Sequence, residues 1–450
     1  MASGRPQDFA FTVPTWATGG NYPAGANAWN GQPMRVLPGT LYFNPAAPVP
    51  AEYLNYQFGV LADTIGSLQT GINQYIDYDG QVPAFNYPYA GLVSSTSTDQ
   101  IFTVIPYSGG AGLAGTMLNS WACLTLDSSS HAVKGYTSLD GGVTWTSLGV
   151  PYTGSSTVVP LCMGSIGSGV NKGKIILASN VTSTVPAGGF FNTYTASGWG
   201  TSVTGLYPCQ ASAQINSTTV FVGGKTTNGI IPIYSTTDGA TFTDHHDSAA
   251  PANILGVSSW IAASNGTVMV CLPTSFNASL SSYQAMVSTN GTTWTYPALP
   301  TMPNPLIAFT GLTYSASDAL WMATASINGS SVTDIVLTSP DGSTWTIVKT
   351  LNSFGGGIQG LVCLGSLYVA TVQPTATYGI FTRTQIIYSL NAGTNWYYAP
   401  DSPLPTIYGN YPLSIANSGN QLMLWTLHTS STNQVTYASL KFGTSPTAAT

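Results

Sequence analysis

Charge is what this 450-residue sequence has least of: Asp, Glu, Lys and Arg together make up 5% of it, against about 25% in ordinary soluble proteins. Lys and Arg number nine, are scattered along the chain, and leave a net charge of −6. A phosphate backbone is held by clustered cations, and with no cluster present nucleic-acid binding is excluded. Glu52 is the single glutamate, and Arg5, Arg35 and Arg383 are the only arginines. No apolar run reaches the ~18 residues of a membrane span. The start, Met1-Ala2-Ser3-Gly4-Arg5, lacks the apolar stretch of a secretory signal, so synthesis in the cytoplasm is expected. Cysteines are few: Cys123, Cys162, Cys209, Cys271 and Cys363. Their odd number, the lack of any CxxC spacing and mostly apolar neighbours read as buried strand thiols rather than disulfides or metal ligands.

What fills the space is Gly, Ser, Thr and Asn, on a background that is 43% hydrophobic and 11% aromatic. Such a chain buries enough apolar surface to offset its ordering entropy. A rigid β structure with a hydroxyl- and amide-covered surface is expected.

A repeat organises most of the chain, and repeats decide fold before anything else does. Five segments share one pattern: Tyr136-TSLDGGVT-Trp145, Tyr234-STTDGAT-Phe242, Val287-STNGTT-Trp294, Thr338-SPDGST-Trp345 and Tyr388-SLNAGTN-Trp396. A degenerate copy, Tyr194-TASG-Trp199, falls in the widest gap, and the period is about fifty residues. Each copy has the chemistry of a tight hairpin. Asp140, Asp238, Asn290, Asp341 and Asn391 can accept hydrogen bonds from turn amides. Gly142, Gly239, Gly291, Gly342 and Gly393 supply the positive φ that other residues resist. The terminal aromatic, Trp145, Phe242, Trp294, Trp345 or Trp396, then packs its ring on a neighbouring element.

This arrangement resembles the Asp-box, or BNR repeat, of sialidases and related β-propellers, written S-x-D-x-G-x-T-W. Ser138, Asp140, Gly142, Thr144 and Trp145 match it fully; the last copy has Asn391 and Asn395 in place of the Asp and Thr, and the central three are one residue shorter. From about residue 96 to 450 the chain holds close to seven periods. An all-β fold is therefore expected, a seven-bladed propeller with six blades as the alternative. After Trp396 three strand-like runs remain, at 411–416, 421–428 and 434–442. A fourth strand from about 87–95 would close the ring and remove its exposed edges.

The first part of the chain reads differently. Residues 1–49 carry seven prolines, with Trp16, Tyr22, Trp29 and Tyr42, and form an extended arm expected to lie against a partner. Residues 50–78 pattern as a helix whose seam, Leu54, Phe58, Leu61, Ile65, Leu68 and Ile72, repeats in heptads. Self-association through the seam and docking of a single helix both fit it. Residues 79–95 would be a linker with the ring-closing strand, and 96–450 the propeller. FTVPTWATGGNYPAGANAWNGQPMRVLPG followed by PAEYLNYQFGVL resembles the leader of some tailed-bacteriophage virion proteins. That resemblance implies an anchor to other virion proteins, an outward-facing module, and a place on the particle.

The sialidase activity that the Asp-box resemblance raises fails on inventory. Sialidases use three arginines, a Tyr–Glu pair and an Asp; here only Arg383 lies in the propeller, and Glu52 lies outside it. A glycosidase needs two facing carboxyl groups, and the uncommitted aspartates do not reveal a pair. Asp244, His245, His246 and Asp247 are candidate divalent-metal ligands, but adjacent residues on a strand point apart, so no metal is expected. Neither a cofactor nor a catalytic residue is expected. The reading is a phage virion structural protein, a tail-fibre or receptor-binding component whose propeller binds host-surface glycan without being an enzyme. Its alternatives are a surface-polysaccharide depolymerase and an architectural capsid or tail decoration.

Overall fold

Short runs rich in Val, Ile, Thr and aromatic residues, each stopped by Gly, Asn, Asp or Ser, become antiparallel strands because branched side chains suit a pleated, half-buried surface. A computed structural model of the chain describes residues 85–92, 99–108, 120–127, 130–152, 158–181, 188–224, 226, 229–246, 250–251, 254, 257, 259–274, 283–302, 307–327, 333–351, 357–372, 385–398, 413–418, 421–426 and 436–442. The chain divides into two units, Met1–Pro83 and Ala84–Thr450, and every described residue belongs to the second. The expected arm and the helix seam of Leu54, Phe58, Leu61, Ile65, Leu68 and Ile72 lie outside the described residues. No α-helix occurs among the described ones.

The strands follow one plan. After β1 (Phe85–Leu92), blade I is β2 (Asp99–Pro106), β3 (Trp121–Asp127), β4 (Val133–Ser138) and β5 (Thr146–Tyr152). Blade II is β6 (Val158–Ser165), β7 (Ile175–Val181), β8 (Gly188–Thr195), β9 (Gly198–Trp199) and β10 (Val203–Leu206). Blade III is β11 (Ala211–Ile215), β12 (Thr218–Val222), β13 (Ile233–Thr236) and β14 (Thr243–Asp244). Blade IV is β15 (Trp260–Ser264), β16 (Met269–Pro273) and β17 (Met286–Ser288). Its fourth strand is reduced to the bridges Val287 to Thr295 and Gln284 to Ala298.

Blade V is β18 (Ile307–Ser315), β19 (Leu320–Ile327), β20 (Thr333–Ser339) and β21 (Thr346–Leu351). Blade VI is β22 (Ile358–Leu364), β23 (Leu367–Val372), β24 (Gln385–Ser389) and β25 (Tyr397–Tyr398). Blade VII is β26 (Leu413–Ser418), β27 (Gln421–Thr426) and β28 (Thr436–Phe442), with β1 paired antiparallel to β28 from Phe85 opposite Phe442 to Leu92 opposite Thr436. The first strand of each blade contacts that of the next, β2 to β6, β11, β15, β18, β22, β26 and back to β2. The protein is an all-β propeller, closed as a ring by a strand taken from ahead of its first blade.

The core lies between blades. Alternation along a strand sends successive side chains to opposite faces, and blade IV shows it. Val270 and Leu272 pack towards blade V with Trp321, Ala323 and Ile335, whereas Met269 and Cys271 pack towards blade III with Val220, Val222 and Ile233. Comparable clusters join blades VII and I, I and II, II and III, and V and VI. Each large buried side chain, such as Phe221 or Trp321, contributes about 1.5–3 kcal/mol. The five cysteines are buried and free, with burial pushing the Cys123 and Cys209 thiols far above their ordinary range.

This meander gives the ring two unlike ends. First-to-second and third-to-fourth turns share one end, which carries the Asp/Asn turns. Second-to-third turns and the connections between blades share the far end.

Candidate functional site

At the Asp/Asn end, the side chains of the turns are spent on the turns themselves. In blade I the Ser138 hydroxyl donates to Asp140 Oδ1 at 2.8 Å and accepts the Gly142 amide at 2.8 Å. Asp140 Oδ1 accepts the amides of Val143 and Thr144, the Thr144 hydroxyl donates to Oδ2 at 2.6 Å, and Trp145 Nε1 donates to the Gly142 carbonyl at 3.1 Å. Blade III repeats the pattern with Thr236, Asp238 and Gly239, and blade IV with Ser288, Asn290 and Gly291. Blades V and VI repeat it with Ser339, Asp341 and Gly342 and with Ser389, Asn391 and Gly393, where Trp345 and Trp396 Nε1 again donate to the glycine carbonyl. Burial pushes the Asp341 carboxyl up, but the Thr344 and Ser343 amides and the Thr344 and Ser339 hydroxyls outweigh it and hold it at about 2. Asp140 and Asp238 are lowered by the same balance.

Each turn also seats on the preceding blade. A Cβ on Gly291 would stand 2.7 Å from Val220, on Gly342 2.6 Å from Val270, and on Gly393 2.9 Å from Val336. Phe242 stacks on Phe191 of blade II with centroids 4.3 Å apart, and Thr193 donates to the Gly239 carbonyl. Trp294 is buried in the blade III–IV cluster, but its indole N–H has no partner.

The far end holds ionisable groups of a different kind. Asp99, the first residue of β2, stands opposite Asp127, the last of β3. Lys134 on β4 joins them, its ammonium 2.7 Å from Asp99 and 3.4 Å from Asp127, and the Tyr136 hydroxyl lies 3.3 Å from Asp99. The Asp99 side chain is wholly buried and that of Lys134 is 21% exposed. In blade V, Asp334 begins at the same end of β20, accepts the Ser326 hydroxyl, and accepts the Ile358 amide of blade VI at 3.1 Å. Burial raises its carboxyl to about 6 against these two bonds.

The histidine pair of blade III diverges. His245 Nε2 meets the Ser235 hydroxyl at 2.8 Å, while the His246 ring contacts the Asp244 carboxylate and lies against Tyr207 and Tyr234. Burial lowers His245, against the opposing charge of Asp244. Asp247 lies outside the described residues, and among the described ones no three metal-ligating side chains converge. The sequence pattern did not reveal the Asp99–Lys134–Asp127 group, because its cross-strand contact depends on a hairpin register that includes a bulge between Ile101 and Thr103. Nor did it assign the buried Ser or Thr of each turn its second anchoring role.

No family model and no curated protein matches the sequence. Solved structures do resemble it. An α-L-arabinanase of Penicillium chrysogenum is 12% identical over 80% of this chain and 99% of its own, with a TM-score of 0.44. The α-L-arabinofuranosidase ARB93A of Fusarium graminearum is 13% identical over 80% and 96%, with a TM-score of 0.44. A GH74 xyloglucanase of Xanthomonas campestris is 11% identical over 80% of this chain and 55% of its own, with a TM-score of 0.49. At such identities the likeness is one of fold. These three propellers are enzymes, so the expectation of a chain that is not an enzyme is withdrawn, and the likeness by itself assigns no activity. Scarcity of Arg and Glu removes the sialidase inventory and does not remove catalysis by other groups.

Proposed function

We propose that this chain is a polysaccharide-engaging propeller carried on a virus particle and working through its far end. The observation that carries this reading is how the ionisable groups are spent. At the Asp/Asn end, Asp140, Asp238 and Asp341 are consumed by turn amides and hydroxyls. At the far end, Asp99 and Asp127 meet the Lys134 ammonium, Asp244 meets the His246 ring and His245 meets Ser235, so these groups engage other side chains even where Asp127 also accepts the Ser130 amide and Asp244 the His246 amide. The rest of the composition, rich in Ser, Thr, Asn and aromatic residues, suits hydrogen bonding to sugar hydroxyls and packing against sugar rings. The phage-like leader, residues 11–39 with 50–61, and the heptad seam from Leu54 to Ile72 support attachment to other virion proteins and self-association.

Cleavage of the bound polysaccharide is the second reading. It is favoured by the place, single among the described residues, where two carboxylates, Asp99 and Asp127, are held around one ammonium, since glycoside hydrolysis uses a pair of carboxyl groups. Both readings are tested by exposing the protein to a panel of bacterial surface polysaccharides and recording retention together with released oligosaccharides by mass spectrometry. Retention alone supports engagement, release adds hydrolysis, and neither signal rejects the proposal.

A further inference from the structure

Blades built on one plan let each turn be compared with its counterparts, and two turns at the Asp/Asn end stand apart. A single exposed apolar side chain is ordinary on a protein surface, so position is what distinguishes these. Among the described residues four large apolar side chains are exposed, and three of them, Leu139, Val143 and Val170, lie at this end. Leu139 and Val143 flank the Asp140 turn of blade I and are 51% and 48% exposed. The counterparts of Leu139 are Thr237, Thr289, Pro340 and the half-buried Leu390, and those of Val143 are Ala240, Thr292, Ser343 and Thr394. Trp145 packs this turn against Met423 and Trp425 of blade VII.

Val170 stands on blade II, whose first turn has nine residues, 166–174, where blades III to VII use two to four. The long turn is braced. The Gly173 amide donates to the Ile166 carbonyl at 2.7 Å, and Asn171 and the Lys174 ammonium donate to the Thr237 and Asp238 carbonyls of blade III. At its tip Val170 is 90% exposed. A braced loop loses little conformational entropy when its tip is covered, so covering it is favourable.

The chain enters the ring at the same end. β1 takes the fourth-strand place of blade VII, and its first residue, Phe85, stands opposite Phe442, the last of β28. The heptad seam ends at Ile72, and the chain from there to Phe85 spans at most about 45 Å. Copies joined by the seam therefore have their Asp/Asn ends tethered near one another, at an effective concentration of about a millimolar. An apolar surface too small to associate alone suffices under that tether.

We infer that the Asp/Asn end of blades I and II is the surface on which a second copy of this chain docks, with Leu139, Val143 and Val170 as its apolar contacts. This rests on the self-association reading of the seam and goes beyond it by naming the propeller surface that is covered. The far end of each ring stays uncovered.

The test places one exposed thiol in the full chain, as Leu139→Cys, Val170→Cys or, at the far end, Ser130→Cys. Cysteine is a small apolar side chain, and the five native thiols are buried. Maleimide reaction rates are compared with those of the same variants carrying Leu61→Asp and Ile65→Asp in the seam, with the mass followed by light scattering. In the assembled chain the thiols at 139 and 170 are expected to react about tenfold more slowly than in the seam variants, the factor for an interface worth about 1.4 kcal/mol. The thiol at 130 should react equally fast in both. An assembled chain in which all three react equally fast overturns the docking surface and leaves self-association through the seam standing. A monomeric chain with slow thiols at 139 and 170 overturns the second copy as the occupant. A monomeric chain with fast thiols overturns both the surface and the seam reading.

Discussion

Lys134 shows how much one side chain can carry in a chain so short of charge. Asp99 and Asp127 face each other directly across two strands, and its ammonium offsets their repulsion alongside the Tyr136 hydroxyl on Asp99 and the Ser130 amide on Asp127. Removing one partner of a buried ionic group leaves uncompensated charge, at a cost of about 3–5 kcal/mol. Lys134→Met is therefore expected to lower the unfolding free energy by about that much in chemical denaturation. Adding Asp99→Asn and Asp127→Asn to it should recover most of the loss. Asp334 works in the opposite direction. Its folded value of about 6 lies above the ordinary 3.8, so burial favours the neutral form. The stability it lends is complete below about pH 4 and is lost as pH rises through about 6. At 1.36 kcal/mol per unit, this amounts to about 3 kcal/mol. Asp334→Asn keeps an oxygen for Ser326 and Ile358 and cannot ionise. Its melting temperature at pH 7 should exceed that of the unaltered protein, and the difference should vanish at pH 4.

Among elements, the Asp/Asn hairpin joins local turn chemistry to blade packing, and glycine substitutions separate the two. Gly149 has φ of 82° with open space where a Cβ would go, whereas Gly342 has φ of 79° and Val270 in the way. Gly149→Ala should cost about 1 kcal/mol, the strain of a left-handed backbone alone. Gly342→Ala adds a steric clash in a packed core and should cost about 2–4 kcal/mol, both read from denaturant midpoints. These hairpins were legible in the sequence because Asp or Asn, then Gly, then an aromatic fix the turn from residues a few positions apart. The closing strand was legible by counting, since three runs after Trp396 lacked a fourth partner. What stayed hidden depends on register. The contact of Asp99 with Asp127 passes through a bulge, and blade IV's last strand shrinks to two bridges.

At the scale of the whole ring, stability depends on a pairing between the two ends of the propeller sequence. Without β1, the β28 edge presents unpaired backbone groups. A chain beginning at residue 94 is expected to melt at a lower temperature and to aggregate during purification, while one beginning at residue 80, which keeps β1 but loses the heptad seam, should stay dispersed and melt at the higher temperature. Equal melting temperatures and equal monodispersity of these two shortened chains in light scattering would show that ring closure contributes little. The same pairing sets an order on synthesis. β1 leaves the ribosome before any blade exists and waits for β28, which is made after every blade has been translated. The nascent chain can lay down blades I to VI as it emerges, but its first strand stays without a partner until β28 has been made. A prematurely terminated product therefore keeps an open edge for chaperones and proteases to find, so the closing strand also acts as a proofreading step on translation.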